Sequence, residues 1–270
     1  MANVLKASGE KEPFDEEKLV DSIKRAGIPD NLQNKVLEHV KSKLYEDIPT
    51  EEIYKHITEF LGKEEVAVKA KYSLKRAIMG LGPTGYPFED FVSDILKAKG
   101  YVTQVRSILT GTCVSHEIDV IAEKQAEGEK LMIEAKFHNA TGIRTDVHVS
   151  LYTKSRFDDL KEKYHFNKAW LYTNTKITPD ALTYAICAGM GVVSWSYPEN
   201  EGLRDLVNEY RLYPLTILTL LSNAQIQTLL ENHVVLVRDI CSNRESLDVL
   251  GLPGDRADKI FNEAKVICEG

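Results

Sequence analysis

The hydrophobic pattern of the chain divides into three stretches, and the middle one is the most regular. Between Glu117 and Lys136 two apolar runs, Ile118-Asp119-Val120-Ile121-Ala122 and Leu131-Met132-Ile133-Glu134-Ala135, flank a turn rich in Glu, Lys and Gly, which predicts a β-hairpin. Upstream, Phe88, Phe91, Val92, Ile95 and Leu96 share one face of a helix opened by Pro87, with Glu89 near its first turn. Further on, the pattern predicts a strand over Tyr101 to Val105, a helix from Val149 to Tyr164 and a strand over Ala169 to Tyr172. A helix from Pro179 to Ala188 and a strand over Val192 to Trp195 complete the stretch. Strands alternating with helices imply one α/β domain over residues 84–198, a mixed central sheet covered on both faces. Trp170 and Trp195 are expected in its core.

The first stretch, residues 1–80, reads as a short hairpin (Val4-Leu5-Lys6, a Ser8-Gly9 turn, Glu12-Pro13-Phe14) followed by helices. Asp15 is placed to cap the first helix, which carries Leu19, Ile23 and Ala26 at helical spacing and ends at Gly27. More helices are expected around Leu32 to Tyr45, Thr50 to Leu61 and Val66 to Ala77, before a Gly- and Pro-containing linker from Leu81 to Gly85. The last stretch, residues 203–270, reads as a small helical domain.

Side chains alternate faces along a strand, so Glu134 and Lys136 fall on the same side of the second hairpin strand with Ala135 turned away, and Asp119 lies beside them. Two carboxylates and an ammonium at the edge of an apolar sheet are costly to leave dry and unpaired; they either neutralise one another or hold a metal. On spacing alone, an ordinary charged pair on a solvent face is the commoner explanation. Taken with the Glu89 helix, however, the Asp119 strand and the Glu134-Ala135-Lys136 strand resemble the catalytic core of the PD-(D/E)xK nuclease superfamily, most closely its Mrr-like restriction endonuclease branch. Thr173-Asn174-Thr175-Lys176, then Ala181 to Gly189 and Val193-Ser194-Trp195, resemble the same pattern after the catalytic strand.

That resemblance implies a Mg²⁺- or Mn²⁺-dependent deoxyribonuclease acting on DNA. Asp119 and Glu134 would be direct metal ligands with the Ala135 carbonyl, and Glu89 would bind a second metal or a water of the first. Lys136 would orient or deprotonate the attacking water, or stabilise the pentavalent state. For His116, Glu117 and His138 a structural or supporting role is expected.

The amino-terminal hairpin and helices are similar to the ATP-cone, a nucleotide-binding regulatory module. The similarity rests on Val4-Leu5-Lys6, Gly9, Glu12, Phe14-Asp15, Lys18-Leu19, Ile23-Lys24-Arg25-Ala26 and Ala70-Lys71-Tyr72-Ser73-Leu74-Lys75-Arg76-Ala77. It implies that Lys6 and Lys18 meet nucleotide phosphates; Ala7 stands where the family has an arginine. No Gly-x-x-x-x-Gly-Lys loop occurs, so ATP or dATP is expected to act as an effector and not as fuel. In the last stretch, Leu250-Gly251-Leu252-Pro253-Gly254 leading to Ile260 looks like a helix-hairpin-helix turn, with a plain cap or an oligomerisation element as equal readings.

Composition narrows the picture a little. With 43% apolar and 28% charged residues in 270, the chain is ordinary globular material, and no apolar run reaches membrane-spanning length, so a cytoplasmic protein is expected. A net charge of −7 argues against a generic nucleic-acid coat and leaves DNA contact to a local patch, for which Lys154, Arg156, Lys161, Lys163, Lys168 and Lys176 are candidates, balanced by Asp158, Asp159 and Glu162. Cys113, Cys187, Cys241 and Cys268 lie far apart, which favours buried or free thiols over disulfides or zinc. A homo-oligomer is expected. Two other functions fit parts of the chain: a nucleotide-sensing DNA-binding regulator without catalysis, and a structure-specific repair or junction nuclease.

Overall fold

The computed structural model describes residues 2–6, 9–64, 66–140 and 142–269, with the side chains of 63, 64, 66 and 67 outside that description. The chain divides into two compact units, Met1–Leu74 with Glu269–Gly270, and Lys75–Cys268.

In the first unit, β1 (Asn3–Leu5) and β2 (Lys11–Pro13) form the expected antiparallel hairpin, with Val4 opposite Glu12. Asp15 caps α1 (Glu16–Arg25) by accepting the Lys18 N–H at 3.1 Å, and Glu16 and Glu17 at one end with Lys24 and Arg25 at the other complement the helix dipole. After α2 (Asp30–Lys41), the short strand β3 (Ile48–Pro49) runs parallel beside β1, an addition that a two-residue apolar pattern cannot announce. The helices α3 (Thr50–Glu64) and α4 (Val66–Met79) follow. Val4, Ile23, Val36, Val40, Ile48, Ile57 and Leu61 make the core.

The second unit opens with α5 (Tyr86–Ala98), then β4 (Val102–Thr110), β5 (Ser115–Lys124) and β6 (Glu129–Lys136). The hairpin between β5 and β6 turns through a 3-10 segment closed by Gly128 at φ 63°, a left-handed backbone that glycine adopts without strain. Next come β7 (Arg144–Thr145), α6 (Val147–Tyr164), β8 (Lys168–Thr173), β9 (Lys176–Ile177), α7 (Pro179–Cys187) and β10 (Gly191–Val193). The main sheet has the order β10-β8-β6-β5-β4, antiparallel from β4 to β6 and parallel from β6 to β10, so it is mixed as expected. On one face Ile121, Met132, Ala169, Leu171 and Val192 pack with Leu160 of α6 and Ala185 of α7. The opposite face carries α5, whose Ser93 hydroxyl meets Thr103 at 2.8 Å on β4, across from Ala122.

The remaining helices are α8 (Leu203–Tyr210), α9 (Asn223–Glu231), α10 (Val237–Ser242) and α11 (Gly254–Glu269). A 3-10 segment, Arg244–Leu250, leads through Gly251 at φ 59° into α11.

Two expectations fail here. Cys241 and Cys268 form a disulfide joining α10 to α11, while Cys113 and Cys187 are free and exposed; a separation of 27 residues says nothing about two helices that fold back together. Neither tryptophan is in the core. Both are half-buried, because Trp170 lies flat over Gly191, where an added Cβ would sit 2.1 Å from its ring, and Trp195 sits at 5.6 Å under the Lys75 ammonium.

Candidate active site

The two strands that carry the acidic residues part company where the acids begin. β5 and β6 stay in register from Lys124 opposite Glu129 to Val120 opposite Ile133. Asp119 stands just beyond, and its carboxylate accepts the Ala135 N–H at 2.7 Å, bridging the gap where the ladder opens. Because Met132 faces α6 and α7, the alternation of β6 puts Glu134 and Lys136 on that same face, past the end of its apolar packing. Glu134 and Lys136 lie opposite Leu171 and Thr173 of β8. Lys136 is half-buried, and among the described residues no hydrogen bond or ion pair engages its ammonium.

Glu89 reaches the same region from the first turn of α5, buried to 9% exposure. Arg106 holds it. The β4–β5 ladder pairs Val105 with Val120 and Ser107 with Ile118, passing over Arg106 and Asp119 between them, and Arg106 has φ 51°. A left-handed arginine is an uncommon and strained conformation. It aims the guanidinium at Glu89 (3.3 Å) and Asp90 (2.7 Å), with the Tyr86 ring 5.7 Å away. Asp90 in turn meets His233 at 3.2 Å, from the loop after α9.

Three carboxylates thus lie within electrostatic reach of one another in a poorly solvated place. Burial, and then the nearby Asp119 charge, push Glu89 up to about 7. The same two causes push Glu134 up to about 7. Burial also raises Asp119, against the Ala135 N–H and the Arg156 charge, which hold it down. Arg156, reaching in from α6, donates to Glu134 and is 6% exposed. It was a candidate for DNA contact; burial against Glu134 removes it from the surface. The sequence signal was available, since Ser150, Thr153, Arg156 and Leu160 are all buried on α6, a helical stripe in which Arg156 is the one charged member.

The other cations of that group divide. Lys154 and Lys161 pair with Asp158, Lys163 donates to the Thr110 carbonyl at 2.8 Å, Lys168 lies 5.1 Å over the Trp170 ring, and Lys176 is exposed. Asp159 faces inward. It accepts the Cys113 and Val114 N–H groups at 2.8 and 3.3 Å and meets His116 Nε2 at 2.8 Å, a set of partners that holds it down to about 2, with His116 the largest cause. The His138 ring bonds Thr145 at 3.0 Å, and its backbone N–H and carbonyl bond the Asn174 side-chain amide, each at 2.8 Å, fixing the chain after β6. Glu117 acts on Asp119 by charge alone, as a like neighbour that raises it.

In the first unit, Lys6 and Lys18 converge on Glu12, at 2.8 and 3.3 Å, and Lys6 also meets Glu10 at 3.1 Å. These acids raise the Lys6 ammonium further above its ordinary value, Glu12 most. Ala7 lies outside the described residues.

Among the described residues no three His, Cys, Asp or Glu side chains stand ready around one point to hold a metal ion, since Asp119 is engaged by a backbone N–H and Glu134 by Arg156. The donor chemistry nevertheless fits a hard divalent cation: one buried and two partly buried carboxylates, close enough to oppose ionisation within the group, are the oxygen ligands that Mg²⁺ or Mn²⁺ takes. Among the described residues no helix is long and apolar enough to cross a membrane.

The ATP cone domain model matches residues 2–79, the restriction endonuclease model of Mrr type matches 83–198, and the model described as AF1548-like, C-terminal matches 213–268. A protein of Archaeoglobus fulgidus described as uncharacterized is 39% identical over 174 residues, which span 64% of this chain and 97% of the relative. A solved structure titled as that of a protein of unknown function, AF1548, matches with a TM-score of 0.61 and 37% identity, covering 69% of this chain and all of that one. Roughly a third of this chain therefore lies outside either match. At the family level, a nuclease-type domain is joined to a nucleotide-sensing one. Matched to such a relative over nearly its whole length, the chain belongs to the AF1548-like family, here with an ATP cone and an Mrr-type restriction endonuclease domain.

Proposed function

We propose that the protein is a DNA endonuclease dependent on Mg²⁺ or Mn²⁺, its activity or assembly set by ATP or dATP bound to the cone. The observation that carries the first part is the convergence of Glu89, Asp119 and Glu134, each raised by burial and by another of the three or a like-charged neighbour, beside a Lys136 ammonium that no hydrogen bond or ion pair engages among the described residues. Asp119, Glu134 and the Ala135 carbonyl would hold the cation, with Glu89 as a further ligand or a partner of its water shell. When bound, a divalent ion supplies charge neutralisation at the phosphate and eases ionisation of a water. Lys136, on the same face as Glu134, is placed to orient that water or to meet charge developing on the phosphoryl oxygens. Arg106 fixes Glu89, and the Ala135 N–H fixes Asp119, so neither carboxylate must be ordered at the moment of reaction.

The test is a cleavage assay on linear, nicked, branched and methylated DNA with and without Mg²⁺. Cleavage that needs the cation and is lost in Lys136→Ala is expected; cation-independent cleavage, or a Lys136→Ala that cuts like the parent, would reject the assignment.

For the cone, Lys6 and Lys18 already share one acidic partner, Glu12, so phosphate would replace a carboxylate on a preassembled pair of ammonium groups. Calorimetry with ATP and dATP, beside sedimentation velocity and cleavage, should show binding that shifts size or rate, and loss of both in Lys6→Ala with Lys18→Ala. Binding that changes neither would reject the switch.

A further inference from the structure

Among the described residues of the nuclease domain Arg156 is the most deeply buried charged group, at 6% exposure against 9% for Glu89. Among the described residues its single hydrogen-bond partner is the Glu134 carboxylate. The Nε–H is buried and has no acceptor, and the outward side is covered by the Tyr152 ring, 5.1 Å from the guanidinium carbon. A guanidinium has five N–H donors, and an arginine buried for structure alone ordinarily spends them on several acceptors. Here the hydrogen bonding rests on one carboxylate, with Asp119 feeling the charge alone, and that carboxylate is an expected metal ligand.

We propose that Arg156 is the resident counter-ion of Glu134, a positioning residue that a divalent cation displaces from that carboxylate on binding. The inference rests on the metal-site reading given above. Without the cation, the guanidinium orients Glu134 and gives its carboxylate a partner, since a buried carboxylate with none is costly. With the cation present, two positive groups compete for one carboxylate in a poorly solvated space, and their mutual repulsion sets the affinity of the site below what its acids alone would give. The exchange leaves Glu134 partnered by one cation or the other, and it leaves the site sparsely occupied at low ion concentration. Tyr152, 59% exposed, offers the guanidinium a face to rest on when it leaves Glu134.

The experiment is Mn²⁺ binding to the full chain, read from the paramagnetic resonance signal of the free ion, with folding checked by circular dichroism. Parent, Arg156→Gln, Arg156→Lys, Glu134→Gln and the double variant Arg156→Gln with Glu134→Gln are compared. Arg156→Gln is expected to bind Mn²⁺ more tightly, on the order of tenfold, with Arg156→Lys between it and the parent. Glu134→Gln should weaken binding and abolish the gain in the double variant, a coupling that general loosening of the helix would not produce. A parent that binds Mn²⁺ together with a folded Arg156→Gln that binds it equally or less tightly overturns the proposal and leaves the metal site standing. If Arg156→Gln does not fold, an Arg156→Lys with no gain in affinity overturns it in the same way. Absence of Mn²⁺ binding in the parent removes the metal site and this inference together.

Discussion

Asp119 and Asp159 both tie β5 to a neighbouring element, yet their surroundings treat the two charges in opposite ways. Asp159 collects two backbone N–H groups and the His116 ring, and its carboxyl is held down to about 2. Asp119 receives one N–H and the distant pull of Arg156, and burial raises it. One carboxylate is neutralised by the fold that surrounds it; the other sits with Glu89 and Glu134 in a group whose negative charge the protein leaves under-compensated. A fully satisfied acid is a latch, here for the turn between β4 and β5. An acid left short of positive charge beside a lysine is what the proposed cation site would require.

The sharpest way to break this contrast is to neutralise each acid in turn. Asp119→Asn and Glu134→Gln should lower the DNA cleavage rate by at least about a hundredfold while the far-ultraviolet spectrum stays that of the parent. Asp159→Asn should leave the rate intact at temperatures where the protein is folded and lower its melting temperature instead. Equal rate losses for Asp119→Asn and Asp159→Asn would erase the distinction.

Next in size is an effect on the latch alone. A Cβ on Gly111 would stand 2.0 Å from the Asp159 Oδ2 atom and 2.9 Å from the Val114 carbonyl oxygen, and Asp159 is too well bonded to yield easily. Gly111→Ala should therefore destabilise by about 1–3 kcal/mol, read from urea unfolding, and leave Mn²⁺ binding unchanged. An unaltered midpoint would mean that the turn is looser than the close approach implies.

The smallest expected effect is on pH dependence. Glu89 and Glu134 have folded values near 7, above the ordinary 4.5, so between those limits the native state binds more protons than the unfolded one. Their contribution disfavours folding progressively as pH rises from about 4.5 through 7 and is complete above it. Asp159, lowered to about 2, contributes stability that is fully present above about 3.9 and is lost only as pH falls through 2, so it adds no slope in that range. The melting temperature of chelator-treated parent should thus carry a component that falls from pH 5 to pH 8, and Glu134→Gln should flatten it. A slope identical in parent and variant would contradict the raised values.

The placement of Glu89, Asp119, Glu134 and Lys136, the proposed site, was legible because it needs only local rules: a hairpin, the two-residue alternation of a strand, and a helix with Glu89 near its start. The capped first helix, the succession of strands and helices along the chain and the β1–β2 hairpin followed from the same kind of pattern. What could not be read is what depends on residues meeting across the fold. Arg106 finds Glu89 from 17 residues away through a left-handed backbone that an arginine does not advertise. Arg156 finds Glu134 from 22 residues away; its place on a buried helical stripe was the available clue, outweighed by the many charges around it. Cys241 and Cys268 meet because two helices pack, which spacing does not encode, and Trp170 is half-buried because Gly191 leaves room for it to lie at the sheet edge.

Mn²⁺ binding measured side by side in the parent, Asp119→Asn and Asp159→Asn tests the contrast most directly. Binding in the parent and in Asp159→Asn, with loss in Asp119→Asn, is the expected result; an Asp119→Asn protein that binds Mn²⁺ as tightly as the parent would contradict it.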